Sequence, residues 1–352
     1  MKPPRTSVAR SPWLRAALGV FGVGIMVLTF RGTSLERGFG RIDLGFALVA
    51  VPALQGIGFC LEAIGWRGIL AALGERAGFR ALLRVRIVSE ALSQSLPLGV
   101  LFAEGGKPLL LRDQTGIGLP TGTASVAARK YSLVATQAAL LAAVAAFGAA
   151  PLARLGGGAP LRPIVLGGAL VLAVSAALSG HALCRGTVAG KVRGLLARLP
   201  YLGPRVAGHH AAFTEADVAA ERYFGKPFGE RALRAVPFFL AWCVEAFETW
   251  FLLRLVGVEL GLGAAFCLEI PMGLLRSVAF FTPAGLGVQD LGYATALASL
   301  GVPDAPAAAL AFVLLKRTKE IFWVTVGYAL LVLGRTCRVQ VRQSVAIPWP
   351  PR

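Results

Sequence analysis

Long apolar runs alternate along this chain with short, mostly basic polar segments. Residues 14–30, 44–64, 131–150, 161–184, 235–256 and 305–334 are each long and apolar. A helix needs about 20 such residues to cross a hydrocarbon core roughly 30 Å thick. The pattern predicts an all-α polytopic membrane protein with about six full spans. Two stretches break it. Residues 84–112 hold Glu90, Ser93, Gln94, Ser95, Pro97, Glu104 and Lys107, poor material for a lipid-facing helix. Residues 262–300 hold Arg276, then FFTPAGLGVQD at 280–290, then a short apolar stretch. Non-helical backbone at membrane depth is tolerated only inside protein or beside a wet cavity. Both stretches therefore read as re-entrant helical hairpins.

Composition agrees with this pattern. The 352 residues are 56% hydrophobic and 15% charged, with a mean hydropathy of +0.67. A soluble domain carries about 25% charged residues to solvate its surface. The longest polar stretch, 185–234, is short and lacks a strand or turn pattern, which leaves no room for a soluble catalytic domain. The net charge of +18 argues for nucleic acid only in a soluble protein. Here the positives flank apolar spans, where the positive-inside bias and anionic lipid headgroups account for them, so no nucleic-acid partner is expected. Five scattered cysteines and three histidines have no metal-ligand spacing, and neither a metal nor another cofactor is expected.

The same positives set an orientation. Lys2, Arg5, Arg10 and Arg15 place the N-terminus in the cytoplasm, with 14–30 read as a retained signal-anchor. The basic loop 185–234 and the tail 335–352, with Arg335, Arg338 and Arg342, are also expected there, and 151–162 outside. Within the loop, GKVRGLLARLPYL at 190–202 is a basic amphipathic stretch suited to the inner leaflet, or a plain solvated linker. Parity then requires hairpin 84–112 to enter from inside and hairpin 262–300 from outside.

The two halves echo each other. Cys60-Leu61-Glu62-Ala63-Ile64 matches Cys243-Val244-Glu245-Ala246-Phe247, Pro97-Leu98-Gly99-Val100 matches the turn at 283–288, and Arg129-Lys130 matches Lys316-Arg317. The spacing is nearly constant and the order is kept. With paired helices running in opposite directions, this predicts an inverted-topology repeat, a common transporter architecture. Residues 1–150 form the first repeat, 151–334 the second, and 335–352 a tail.

Charges inside apolar runs are the candidate chemistry, because an ionisable group at the bilayer centre costs from about 2.5 to over 10 kcal/mol. Glu62 reads either as an interfacial carboxylate paired to Arg67 or as a functional group. Glu245 and Glu248 share one helix face. Lys316, Arg317, Lys319 and Glu320 fall mid-span; Lys316 and Glu320 can pair, which leaves Arg317 and Lys319 seeking anions. Arg129 and Lys130 lie less deep and can snorkel to the cytoplasmic interface. The hairpins add Glu104, Lys107 and Arg276. Pro108 suits the first turn of a helix. Pro283, Gly285 and Gly287 lead into a half-helix at 288–300, with Gln289 and Asp290 at its opening, where free N–H groups attract anions; Asp290 also suits an N-terminal cap. These groups describe either ion pairs that lock a bundle or a cavity whose positives receive a phosphate or other anion.

SLPLGVLFAEGGKPLLL (95–111), ASVAARKYSL (124–133), RSVAFFTPAGLGVQD (276–290) and LLKRTKEI (314–321) together resemble the transmembrane region of lysylphosphatidylglycerol synthases. They also resemble the stand-alone flippase-like membrane proteins related to it, including a branch associated with hopanoid biosynthesis. PAGLGVQD looks like that family's Pro-Gly-x-Leu-Gly-Val-[Arg/Gln]-Glu motif, with Ala284 for Gly and Asp290 for Glu. The resemblance implies a bacterial inner-membrane protein that moves or binds a lipid. It makes a membrane lipid the expected partner, with homo-oligomers or lipid-biosynthesis proteins left open. Because the chain ends soon after its last span, the synthases' lysyl transfer is not expected. A lipid translocator is the leading expectation; a membrane-embedded lipid-modifying enzyme and a non-transporting scaffold are the alternatives.

Overall fold

The computed structural model describes residues 24–31, 33, 43–96, 99–157, 160–198, 203, 206, 208–278 and 285–344, with backbone alone at 278 and from 334 onward. The described residues are predominantly helical, with no strand among them. The helices are α1 (Leu44–Ala72), α2 (Phe79–Ser95), α3 (Gly99–Thr115), α4 (Leu119–Phe147), α5 (Ala149–Leu155), α6 (Leu161–Cys184), α7 (Val188–Ala197), α8 (His210–Phe224), α9 (Phe228–Leu255), α10 (Leu262–Val278), α11 (Val288–Ser299) and α12 (Ala305–Ser344).

Among the described residues, α1, α4, α6 and α9 are long and apolar enough to cross a membrane. They contain the expected spans 44–64 and 161–184 and all but the last residues of 131–150 and 235–256, where α4 stops at Phe147 and α9 at Leu255. The expected span 14–30 lies largely outside the described residues. The expected span 305–334 is helical but outside that apolar group; Lys316, Arg317, Lys319 and Glu320 sit in its middle. Along α6, Leu170, Val171, Val174 and Leu178 stay exposed. That is the surface a helix presents to lipid, where nothing is gained by turning apolar side chains inward.

Local chemistry sets the helix ends. Asp43 caps α1 by accepting from the Phe46 N–H at 3.1 Å, which satisfies one of the free N–H groups of the first turn. The stretch expected as the first hairpin forms α2 and α3, which pack against each other. A Cβ on Gly99 would lie 2.3 Å from the Ser93 carbonyl oxygen, so the start of α3 comes this close to the end of α2 only with glycine there. Because α3 starts there, Pro108 lies inside the helix rather than in its first turn. Pro108 has no N–H for the Glu104 carbonyl, and the helix carries that missing bond.

Three more sequence boundaries change. The stretch 185–234, expected as a basic loop, contains α7 and α8, and α9 begins at Phe228, seven residues before 235. Asp217 of α8 accepts from the Ala189 and Gly190 N–H groups at 2.7 and 2.8 Å, holding the start of α7. Tyr223 and Phe224 pack into an apolar cluster with Ile69, Leu73, Ala128 and Phe238. Apolar residues among the basic ones thus fold this region onto α1, α4 and α9. At the C-terminus, helix α12 continues through Ser344 into the expected tail.

Two sets of four helices emerge. Helices α1–α4 run 29, 17, 17 and 29 residues. Helices α9–α12 run 28, 17, 12 and 40. In both sets, each helix packs on the next and the first packs on the fourth. Contacts between sets are exchanged reciprocally. Helix α1 packs on α9; α2 packs on α12 as α10 does on α4; and α1 packs on α12 as α9 does on α4.

The α1–α9 crossing depends on Gly65, whose absent Cβ would lie 2.6 Å from the ring of fully buried Phe238. Gly65→Leu should destabilise the fold by about 1–3 kcal/mol through overpacking. Thermal unfolding in detergent checks this, with Gly105→Leu, where a Cβ meets nothing within 4 Å, as the milder comparison.

Candidate functional site

Side chains from both helix sets line one cavity of about 300 Å³. Its lining mixes charged and apolar side chains. Its charged lining comprises Glu62, Arg86, Glu90, Glu104, Lys107, Arg129 and Lys130 from the first set. The second set contributes Glu245, Glu248, Arg276, Lys316, Lys319 and Glu320.

In the first set, Glu62 organises three helices. Its carboxylate accepts from Arg86 Nε and Nη2 at 2.8 and 2.9 Å, a bidentate pair, and Oε2 also accepts from Arg129 Nη2. Arg86 continues to Glu90 at 2.5 Å, which accepts from Gln94 at 2.6 Å. The guanidinium of Arg86 lies 4.6 Å from the Phe59 ring centroid, and that of Arg129 lies 5.8 Å from Trp66. Glu62 is thus not the interfacial partner of Arg67. Arg129 is 2% exposed and does not snorkel; it pairs instead with the buried Glu62 carboxylate of α1. Lys107 donates to Glu104 at 2.6 Å, while Lys130 is exposed.

In the second set, Glu269 is the hub. Its Oε2 accepts from Thr249 at 2.6 Å, Tyr293 at 2.7 Å and Lys316 at 2.7 Å; Oε1 accepts from Arg276 at 3.3 Å. Arg276 also donates to Glu245 at 2.6 Å, and Lys316 to the Tyr293 hydroxyl at 2.8 Å. Lys319 pairs with buried Glu248. Arg317 binds Asp290 at 2.5 Å and Glu320 at 2.6 Å. The Lys316–Glu320 pair drawn from spacing therefore does not form. Each of these cations instead reaches a carboxylate on another helix, and Arg317 takes Glu320 as well.

The break before α11 behaves as its glycines require. Gly285 and Gly287 adopt φ of 64° and 82°, where other residues are strained. The Gly287 N–H donates to Asp290 Oδ2 at 2.9 Å, so Asp290 caps from inside the first turn rather than from the N-cap position. Pro283 lies outside the described residues. Gly285 and Gln289 line the cavity; Asp290 and Arg317 adjoin it through Glu320.

The chain's pattern did not single out Arg86, Glu269 or Tyr293, nor Gln137, which also lines the cavity. A signal for two of them was present. Arg86 and Glu269 stand 183 residues apart (269 − 86), the same separation as Glu62 and Glu245 (245 − 62). Gln137 and Tyr293 carry no such mark, because one amide or phenol in an apolar helix does not declare its neighbours.

Leaving one member of such a network unpaired costs about 3–5 kcal/mol. Glu62→Ala leaves buried Arg129 without a hydrogen-bond acceptor and Arg86 with Glu90 alone, and should lower the thermal unfolding midpoint far more than Lys130→Ala, which removes an exposed charge. Equal shifts in the two variants would contradict the network's structural weight.

The sequence model of the family described as Lysylphosphatidylglycerol synthase TM region matches residues 13–317. No curated protein matches the chain at a significant level.

Proposed function

The chain belongs to the lysylphosphatidylglycerol synthase TM region family, and from that premise we propose that it moves an amphipathic lipid between leaflets, its polar headgroup passing through the charged cavity. The observation that carries this is the lining itself: a cavity of about 300 Å³ whose charged side chains come from both helix sets. Buried ion pairs are weak stabilisers compared with apolar packing, so so many of them around a cavity are poor economy for a mere scaffold. Ionisable groups inside membrane helices commonly mark a substrate path. The lining carries both signs, which suits a polar or anionic headgroup with local counter-ions.

The reading extends to topology. The pairs α2–α3 and α10–α11 act as re-entrant hairpins, and six helices span the membrane. The reciprocal packing of α1–α4 on α9–α12 supports an inverted-topology repeat, the arrangement that lets one set rock against the other around a midplane site. The membrane is the bacterial inner membrane, with both termini in the cytoplasm. Single cysteines replacing Arg154 and Arg193 in a background without native cysteines test the orientation. Position 154 should react with an impermeant maleimide in intact cells, and position 193 only after permeabilisation.

Transport is tested in liposomes reconstituted with fluorescent lipids, scored by dithionite bleaching. Glu245→Gln, Lys316→Met and Arg317→Met should each reduce translocation at least about tenfold, the effect expected from losing one charged contact. Translocation that survives all three substitutions in folded protein overturns the proposal.

A further inference from the structure

We infer that Arg129 and Lys107 form a subsite for a phosphate-type oxyanion, and that Glu104 holds its place until a ligand displaces it. The inference rests on the proposed function in taking the cavity to admit a headgroup.

Arg129 has more donors than partners. It is 2% exposed and spends Nη2 on Glu62, but Nε and Nη1 are buried and make no hydrogen bond. Guanidinium N–H groups left without acceptors in a dry interior are costly, so an acceptor is the missing part. Nη1 lies 3.8 Å from Glu104 Oε1, within ion-pair range but too long for a hydrogen bond. That same oxygen accepts from Lys107 Nζ at 2.6 Å, while Glu104 Oε2 is buried and accepts nothing. One carboxylate thus stands between two cations and satisfies only one of them. A phosphate group, with more acceptor oxygens set tetrahedrally, can engage Lys107 and Arg129 together.

Glu104 is also the member free to leave. Its side chain is 27% exposed, against 4% for Lys107 and 2% for Arg129. The next two residues are Gly105 and Gly106, where a Cβ would meet no atom within 4 Å, so α3 is unpacked beside it. Two glycines in a helix interior weaken it further. Charge supports the exchange. In the first set the lining holds Arg86, Lys107, Arg129 and Lys130 against Glu62, Glu90 and Glu104. With Glu104 turned away, the excess of cations grows, and a singly charged phosphodiester restores the balance.

The test is binding, not transport. The purified full chain in uncharged detergent is titrated calorimetrically with short-chain phosphatidylglycerol, with the matching diacylglycerol, and with inorganic phosphate. The phospholipid should bind and the diacylglycerol should not. Glu104→Gln removes the competing charge and should tighten phospholipid binding roughly tenfold, while Lys107→Met and Arg129→Met should each weaken it by a similar factor. Inorganic phosphate that displaces the phospholipid marks a subsite open to free oxyanion; phosphate that fails to do so marks one read only on a lipid. Unchanged affinity in Glu104→Gln, or equal binding of the diacylglycerol, overturns the subsite. If Arg129→Met does not fold, Glu104→Gln and Lys107→Met decide the matter. Charge-selective binding without leaflet exchange would keep the subsite and remove the translocator; exchange with indifferent binding would do the reverse.

Discussion

A charge taken out of water must meet its opposite at the same depth, and this requirement governs the architecture. Glu62 meets it with two arginines from two other helices, so one carboxylate ties α1 to α2 and α4. Glu269 does the same on the other side with Lys316 of α12 and Arg276 of its own helix, while Thr249 and Tyr293 fill its remaining acceptor sites. Such pairs gain little over apolar contacts in net stability, yet breaking one is expensive. In this bundle they join α1 to α2 and α4, and α10 to α12.

Packing then decides how closely the helices approach. Gly65 lets Phe238 of α9 lie against α1, and Gly327 of α12 leaves no room for a side chain beside Ala91 and the Ile87 carbonyl of α2. Apolar clusters occupy both sets: Ala63, Trp66, Leu82, Val85 and Leu111 in the first, and residues such as Leu252, Leu268, Leu297 and Phe312 mainly in the second. Polar groups concentrate along the cavity that both sets share. The short helices α2, α3, α10 and α11 carry much of that polarity, with Arg86, Glu90, Glu104, Lys107, Arg276 and Gln289 among the lining.

Much of this was legible in the chain. The apolar runs at 44–64, 131–150, 161–184 and 235–256 announced helices long enough to span, since run length and hydrocarbon thickness are directly comparable. The polar interruptions at 84–112 and 262–300 announced broken helices, and Glu62, Glu245, Lys316 and Arg317 stood out as charges in apolar surroundings. Helix ends were less legible. Pro108 looked like a start and lies in an interior, because Gly99 opens the helix earlier. The stretch 185–234 looked like a solvated loop and contains two helices, because Tyr223 and Phe224 find an apolar cluster that no local pattern reveals.

By itself, then, the sequence determined that the protein lives in a bilayer, which long apolar runs are helical, and which residues are too polar for their surroundings. Those properties follow from the transfer energy of each side chain and from the 1.5 Å rise of a helix, both of which are local. Tertiary structure alone decided the partners. Glu62 takes Arg86 rather than nearby Arg67, and Lys316 takes Glu269 rather than Glu320 four residues on. A charge in low dielectric is satisfied by whatever lies within a few ångströms across a helix interface, and sequence separation carries no record of that distance.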